Sequence, residues 1–106
     1  MTVTKVIRYR TKPESADENA QLVQEVFAEL AVTQPGGFHY ATLRLDDGVT
    51  FVHVATLDGG NPLEASPAFA RFQSTLAARC EEGPVVADAE VVGAWGMPGI
   101  GPEAAA

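Results

Sequence analysis

Three observations predict that these 106 residues form an α+β domain with the element order β-α-β-β-α-β. Apolar residues recur at helical spacing in two places, first Leu22, Val23, Val26, Phe27 and Leu30, then Phe69, Phe72, Leu76 and Cys80. The stretches 3–11, 38–45, 50–57 and 85–95 are instead rich in β-branched and aromatic residues, as strands are. Breakers separate the two kinds, with Pro35-Gly36-Gly37 and Gly83-Pro84 as the clearest.

The elements follow in order. Residues 3–11, VTKVIRYRT, read as the first strand. Ser15-Ala16-Asp17-Glu18 has the S-x-x-E pattern of a capping box, in which serine and glutamate side chains satisfy amide donors that a helix start leaves open. The first helix then runs to Pro35-Gly36-Gly37, where proline cannot continue it. Residues 38–45 and 50–57 are the arms of a hairpin joined through Asp46-Asp47-Gly48-Val49. Asp47-Gly48 suits a two-residue type I′ turn, which needs positive φ at both central residues. That placement sets Tyr40 opposite Ala55, Thr42 opposite His53 and Arg44 opposite Phe51. Asn61-Pro62 and Ser66-Pro67 are consecutive helix-start signals, with proline at a position where its missing N–H costs nothing. The second helix places Phe69, Phe72, Leu76 and Cys80 inward and ends at Gly83-Pro84, and 85–95, VVADAEVVGAW, forms the last strand. One domain over 1–96 is expected, followed by a glycine- and proline-rich tail over 97–106 that is mobile unless it reaches a partner.

Two right-handed crossovers in this order give a ferredoxin-like, four-stranded antiparallel sheet with both helices on one side. The pleat puts Phe38, Tyr40, Thr42, Arg44, Phe51, His53, Ala55 and Leu57 on one face of the hairpin. The other face carries His39, Ala41, Leu43, Leu45, Val52, Val54 and Thr56. Neither face is polar throughout and two helices cover only one, so a homodimer is expected to cover the other.

Composition narrows the function. Fourteen acidic residues against seven basic ones give a net charge of −7, which repels phosphate backbones and argues against nucleic acid. The basic residues Lys5, Arg8, Arg10 and Lys12 crowd the first strand, where they are expected to be solvated or paired with surface acids. No apolar run approaches the ~20 residues of a membrane span, and the first twenty residues lack the apolar core of a secretory signal, so a cytoplasmic protein is expected. Cys80 is the only cysteine, which excludes an internal disulfide and a CxxC site, and it reads as a small buried hydrophobe. His39 and His53 fall on opposite pleat faces and cannot share a metal, so no metal site is expected.

Three stretches carry a resemblance: Pro35-Gly36-Gly37-Phe38-His39-Tyr40 before the second strand, Phe51-Val52-His53-Val54 in the third, and Ser66-Pro67-Ala68-Phe69 opening the second helix. With them, residues 3–95 resemble the dimeric α+β barrel superfamily, in particular its antibiotic biosynthesis monooxygenase type of domain. The resemblance implies a homodimeric barrel and a small-molecule role. Members include cofactor-independent monooxygenases of aromatic polyketides, haem-degrading enzymes and non-catalytic domains. Haem-degrading relatives use an asparagine on the first strand and a tryptophan and a histidine around the second helix. This chain has no asparagine in 3–11 and carries Leu63 and Gln73 near the other two positions, which disfavours haem. Ala68 stands where many relatives carry histidine, and Ala55 and Leu57 stand near a usual glutamate and tryptophan.

Cofactor-free oxygenation needs a base, a group that stabilises the resulting anion, and shelter from water. His53 is the one central candidate base, Arg44 can hold a phenolate or enolate, and Tyr40 and Thr42 can orient it. Phe38, Phe51, Phe69, Phe72 and Trp95 offer apolar walls. No cofactor is expected, and the ligand expected is a hydrophobic or aromatic small molecule. Two readings stay open: a catalytic site around His53, or a histidine satisfied inside the core of a ligand-binding or assembly module.

Overall fold

The computed structural model describes residues 2–97. The chain runs through β1 (Thr2–Thr11), α1 (Ala16–Thr33), β2 (Phe38–Arg44), β3 (Thr50–Asp58), α2 (Pro67–Ser74), α3 (Leu76–Arg79) and β4 (Cys80–Ala89). Short 3-10 turns at Pro13–Ser15 and Pro62–Ala65 precede α1 and α2. All strand pairs are antiparallel, in the order β2-β3-β1-β4. This is the expected α+β, ferredoxin-like architecture. Apart from its first residue, the tail expected over 97–106 lies outside the described residues. No described helix is long and apolar enough to cross a membrane.

Both helices cover the sheet face that carries His53. Val23 and Val26 of α1 and Phe72 and Leu76 of the second helical region pack with Tyr9 and Phe51 from the strands, all buried. Asn19 is also on the inward stripe of α1 and is wholly buried. On the opposite face, Leu43, Val52, Arg8 and Val85 form a row across all four strands, with Ala41, Val54, Val6 and Ala87 as the next. Leu43 is 53% and Val85 69% exposed.

Local expectations hold in part. The hairpin register is the expected one, with Tyr40 opposite Ala55, Thr42 opposite His53 and Arg44 opposite Phe51. The turn is different. Leu45 N donates to Thr50 O and Gly48 N to Leu45 O, so four residues form the loop, and only Gly48 has positive φ. The Asp47 carboxylate organises it by accepting from the amides of Val49 and Thr50 and from the Thr50 hydroxyl. These bonds hold the carboxyl well below its usual range, at about 2. The capping box does not form either: Ser15 closes the 3-10 turn and its side chain accepts nothing from α1. At the second helix Ser66 does cap, accepting from Phe69 N, and Glu29 of α1 accepts from Ala68 N.

The end of the helical region is the largest correction. The helix breaks at Thr75 and the chain becomes extended at Cys80, so Cys80 opens β4 and does not extend the inward helical stripe. Gly83-Pro84, expected to close the helix, lies within the strand. β4 is a sheet edge with register shifts opposite Arg8–Thr11, and there a proline lacking its N–H is tolerated. The strand therefore covers 80–89, not 85–95. On β1, Lys5 pairs with Asp88 and Arg10 with Glu81 and Glu82, as the excess of acids suggests.

Gly37 joins α1 to β2 with φ +69°, and a Cβ there would stand 2.8 Å from the carbonyl oxygen of Asp58. The Asp58 amide donates to Gly37 O, fixing that approach. Gly37→Ala is expected to cost about 1–3 kcal/mol in urea unfolding. Gly48→Ala, at φ +79° with open space around the new methyl, should cost less. Equal losses would show that the close approach to Asp58 is not the controlling feature.

Candidate functional site

A cavity of about 230 Å³ lies between the sheet and α2, walled in part by Phe38, Tyr40, His53, Phe69 and Phe72. Exposed residues Gln73, Pro84 and Val86 also belong to its wall, so it opens between α2 and β4. The period-two pleat of β2 and β3 delivers Phe38, Tyr40 and His53, while α2 brings Phe69 and Phe72 over them. Phe38 and Tyr40 also face a second hollow of about 470 Å³, toward Phe27 and Leu30 of α1.

His53 is 3% exposed and hydrogen-bonded on both sides. Its Nδ1 lies 2.5 Å from Tyr40 Oη and 3.1 Å from Thr42 Oγ1, and its Nε2 lies 2.8 Å from Tyr9 Oη. The ring stands amid Tyr9, Tyr40 and Phe72, at centroid distances of 5.3 to 5.7 Å. Burial pushes the imidazole pKa down to about 4, so His53 is neutral at pH 7. Burial likewise raises the Tyr40 phenol to about 12 and that of Tyr9 further still.

Behind Tyr9 the polar contacts continue inward. Asn19 Nδ2 donates to Tyr9 Oη at 2.8 Å, and Arg79 Nε donates to Asn19 Oδ1 at 3.1 Å. Arg79 also donates to the Phe72 carbonyl and to the Thr75 hydroxyl, with its guanidinium over the Phe72 ring. Tyr9, Asn19 and Arg79 had no place in the sequence-based site. Asn19 carried a readable signal: it falls in helical phase with Val23 and Val26, a polar residue on an apolar stripe.

Other expected site residues are placed elsewhere. Arg44 is on the sheet face of His53 but at its far end and outside the cavity wall. Its Nε donates to Gly48 O, it pairs with Asp17 at 3.1 Å, and it lies over the Phe51 ring. The four-residue hairpin loop supplies that carbonyl and so draws the guanidinium away from the site. Phe51 stacks on Tyr9 in the core rather than facing the cavity. Thr42 stands behind His53 as a hydrogen-bond partner. Trp95 lies beyond β4 and is 94% exposed, because the strand ends six residues before it. His39 is exposed on the opposite pleat face, and no cluster of three or more potential metal ligands occurs among the described residues. Cys80 is half-buried rather than fully buried, its thiol pKa raised by burial.

No protein-family model and no curated protein matches the sequence. Solved structures do. A candidate antibiotic biosynthesis monooxygenase from Bacteroides thetaiotaomicron matches at TM-score 0.74 and 13% identity, over 94% of each chain. A mutant of SnoaB, a cofactor-independent oxygenase from Streptomyces nogalater, matches at TM-score 0.64 and 19% identity, over 91% of this chain and 98% of that one. The fold is that of the antibiotic biosynthesis monooxygenase structures. A dimeric ferredoxin-like protein of unknown function from Jannaschia sp. matches at TM-score 0.64 and 17% identity, over 86% of this chain and all of that one. At these identities the likeness is one of fold, and the cavity has to be read from its own residues.

The neutral, buried His53 makes stability depend on pH. The unfolded imidazole takes up a proton near pH 6.5 and the folded one only near 4, so the unfolded state binds more protons between those values. This contribution is absent above about pH 6.5, grows as the pH falls toward 4, and reaches about 3 kcal/mol of lost stability below that. Urea unfolding of the wild type should therefore show a steeper loss of stability between pH 6.5 and 4 than that of His53→Gln. Parallel slopes would mean that His53 is already protonated in the folded protein.

Proposed function

We propose that the cavity binds a small aromatic or enolisable molecule and that Tyr40, backed by His53, stabilises its enolate for reaction with O2 without a cofactor. The observation that carries this reading is the Tyr40–His53 pair at the wall of a cavity that is otherwise largely aromatic and aliphatic. An engineered cavity of about 150 Å³ holds benzene, so about 230 Å³ suits one or two fused rings. His53 has both ring nitrogens occupied and does not meet the ligand as a free base. The Tyr40 phenol meets it as a donor: a hydroxyl directed at an oxygen where charge develops lowers the barrier to enolisation, and the carbon-bound proton passes to water at the open mouth of the cavity. The fold shared with a cofactor-independent oxygenase agrees with this chemistry.

The overall change is oxidation of a CH2 beside a carbonyl. O2 adds one oxygen atom to that carbon, the second leaves as water with the two hydrogens, and a 1,2-dicarbonyl compound results. The bicyclic ketone 2-tetralone is a suitable probe. The expected result is O2 uptake with equimolar dione, and a fall of about 10²-fold in rate for Tyr40→Phe. A rate unchanged by that substitution would remove Tyr40 from the mechanism. A second reading, ligand binding without turnover, is favoured by the fully hydrogen-bonded state of His53. It predicts saturable binding of 2-tetralone, with neither O2 uptake nor exchange of its C1 protons into D2O faster than in buffer alone.

We also infer that a second copy of the chain covers the open sheet face. The rows Leu43–Val52–Arg8–Val85 and Ala41–Val54–Val6–Ala87 form a mainly aliphatic surface with Arg8 as its one charge. A twofold-related copy is the usual cover for such a surface, and the Jannaschia protein of the same fold is dimeric. Sedimentation at micromolar concentration should give a dimer, and the double substitution Leu43→Glu with Val85→Glu should give a folded monomer. A wild-type monomer would overturn the assignment.

A further inference from the structure

The hydrogen bonds of the buried column have a direction, and Arg79 sets it. A guanidinium only donates, so the Asn19 side chain must turn its oxygen to Arg79 Nε and its NH2 to Tyr9. Tyr9 Oη therefore accepts from Asn19, and its own hydrogen needs an acceptor. Tyr9 is 2% exposed, and among the described residues the other hydrogen-bond partner of its Oη is His53 Nε2 at 2.8 Å. If Tyr9 donates to Nε2, that nitrogen is bare, and a neutral imidazole then carries its hydrogen on Nδ1. Nδ1–H points to Tyr40 Oη and Thr42 Oγ1, so the Tyr40 hydrogen cannot lie on His53. Thr42 is hydrogen-bonded to Tyr40 as well and acts to lower its pKa, as a hydroxyl donating to the phenol oxygen does, so the Tyr40 hydrogen is left for the cavity that Tyr40 lines.

We propose that Arg79, acting through Asn19 and Tyr9, holds His53 in the Nδ1–H tautomer, so that Tyr40 donates into the cavity and the ligand is held there by a carbonyl or other proton-free oxygen. The ligand part rests on the cavity reading given above; the tautomer part does not. Arg79, Asn19 and Tyr9 are positioning residues that act through the orientation of successive hydrogens; Arg79 and Asn19 lie outside the cavity lining, and Tyr9 is part of it behind His53. An oriented chain of this kind strengthens its terminal donor, because each bond polarises the next. It also selects. A ligand that offers only a hydrogen at this point meets a second hydrogen, whereas a carbonyl finds a partner already turned toward it.

The side-chain nitrogens of the histidines report the tautomer directly in two-bond 1H–15N spectra of the ligand-free protein at pH 7. His53 should show a protonated, pyrrole-type Nδ1 and a bare, pyridine-type Nε2. The opposite pattern would overturn the proposal without any ligand. Asn19→Asp replaces the donor to Tyr9 by an acceptor while keeping an acceptor for Arg79, so it should reverse the pattern to Nε2–H. A folded Asn19→Asp protein that keeps the Nδ1–H form would show that Arg79 and Asn19 do not set the direction.

The ligand part is read by comparing 2-tetralone with tetralin, the same bicycle without oxygen. The ketone should bind several-fold to about tenfold more tightly than tetralin, as one neutral hydrogen bond warrants, and Tyr40→Phe should erase the difference. Equal binding of the two by the wild type would overturn the carbonyl preference. Failure of both to bind, with the Nδ1–H form present, would sink the cavity reading and leave the oriented column standing.

Discussion

A guanidinium removed from water needs an acceptor for its N–H groups, and the way this chain meets that need for Arg79 governs much of its interior. Arg79 is 3% exposed. Its acceptors are the Phe72 carbonyl, the Thr75 hydroxyl and the Asn19 amide oxygen, with the Phe72 ring beneath it. Two of these lie in the last turn of α2 or just past it, so the arginine folds back on the helix it follows. The break at Thr75 and the early start of β4 accompany that fold-back, and Lys12 N donates to Arg79 O where β1 and β4 begin to pair. The third acceptor places an asparagine on the apolar stripe of α1 and passes the polarity of the cation to a phenol and an imidazole.

The rings around this column hold one another in place. Tyr9 stacks on Phe51, Phe27 stacks on Tyr40, and Phe69 stacks on Phe72, at centroid distances of 5.0 to 5.8 Å. A neutral histidine belongs in such a layer, since it presents two aromatic faces and satisfies both nitrogens at its edge. Apolar faces and hydrogen-bonded edges are thus arranged at right angles to each other: the faces exclude water and the edges carry hydrogens. The lowered basicity of His53 follows from the same exclusion.

Much of this was legible in the sequence because it follows from periodicity. Alternation along 38–45 and 50–57 specified which residues share the face of His53, and a one-residue slip would have turned every one of them outward. Register survived the change of turn type because the four-residue loop is centred on the same Asp47-Gly48 pair, with Leu45 bonded to Thr50. Two side-chain contacts escaped the pattern: the Asp47 carboxylate organises a longer loop, and Arg44 donates to the Gly48 carbonyl in that loop. Arg79 escaped for a different reason. A basic residue in the last turn of a helix is an ordinary sight, and its burial depends on Asn19, sixty positions earlier. Long-range polar pairing leaves no local period to read. Trp95 was assigned to a strand because β-branched residues precede it, yet sheet pairing ends at Ala89.

Phe38 and Tyr40, two positions apart on one strand, belong to the linings of both hollows. One hollow lies on the α2 side and a larger, more open one on the α1 side. Trimming either ring to a small side chain would take lining away from both hollows at once. Divergent chains with this backbone could reshape both spaces by exchanging Phe38 on β2 while leaving the hydrogen-bonded column untouched.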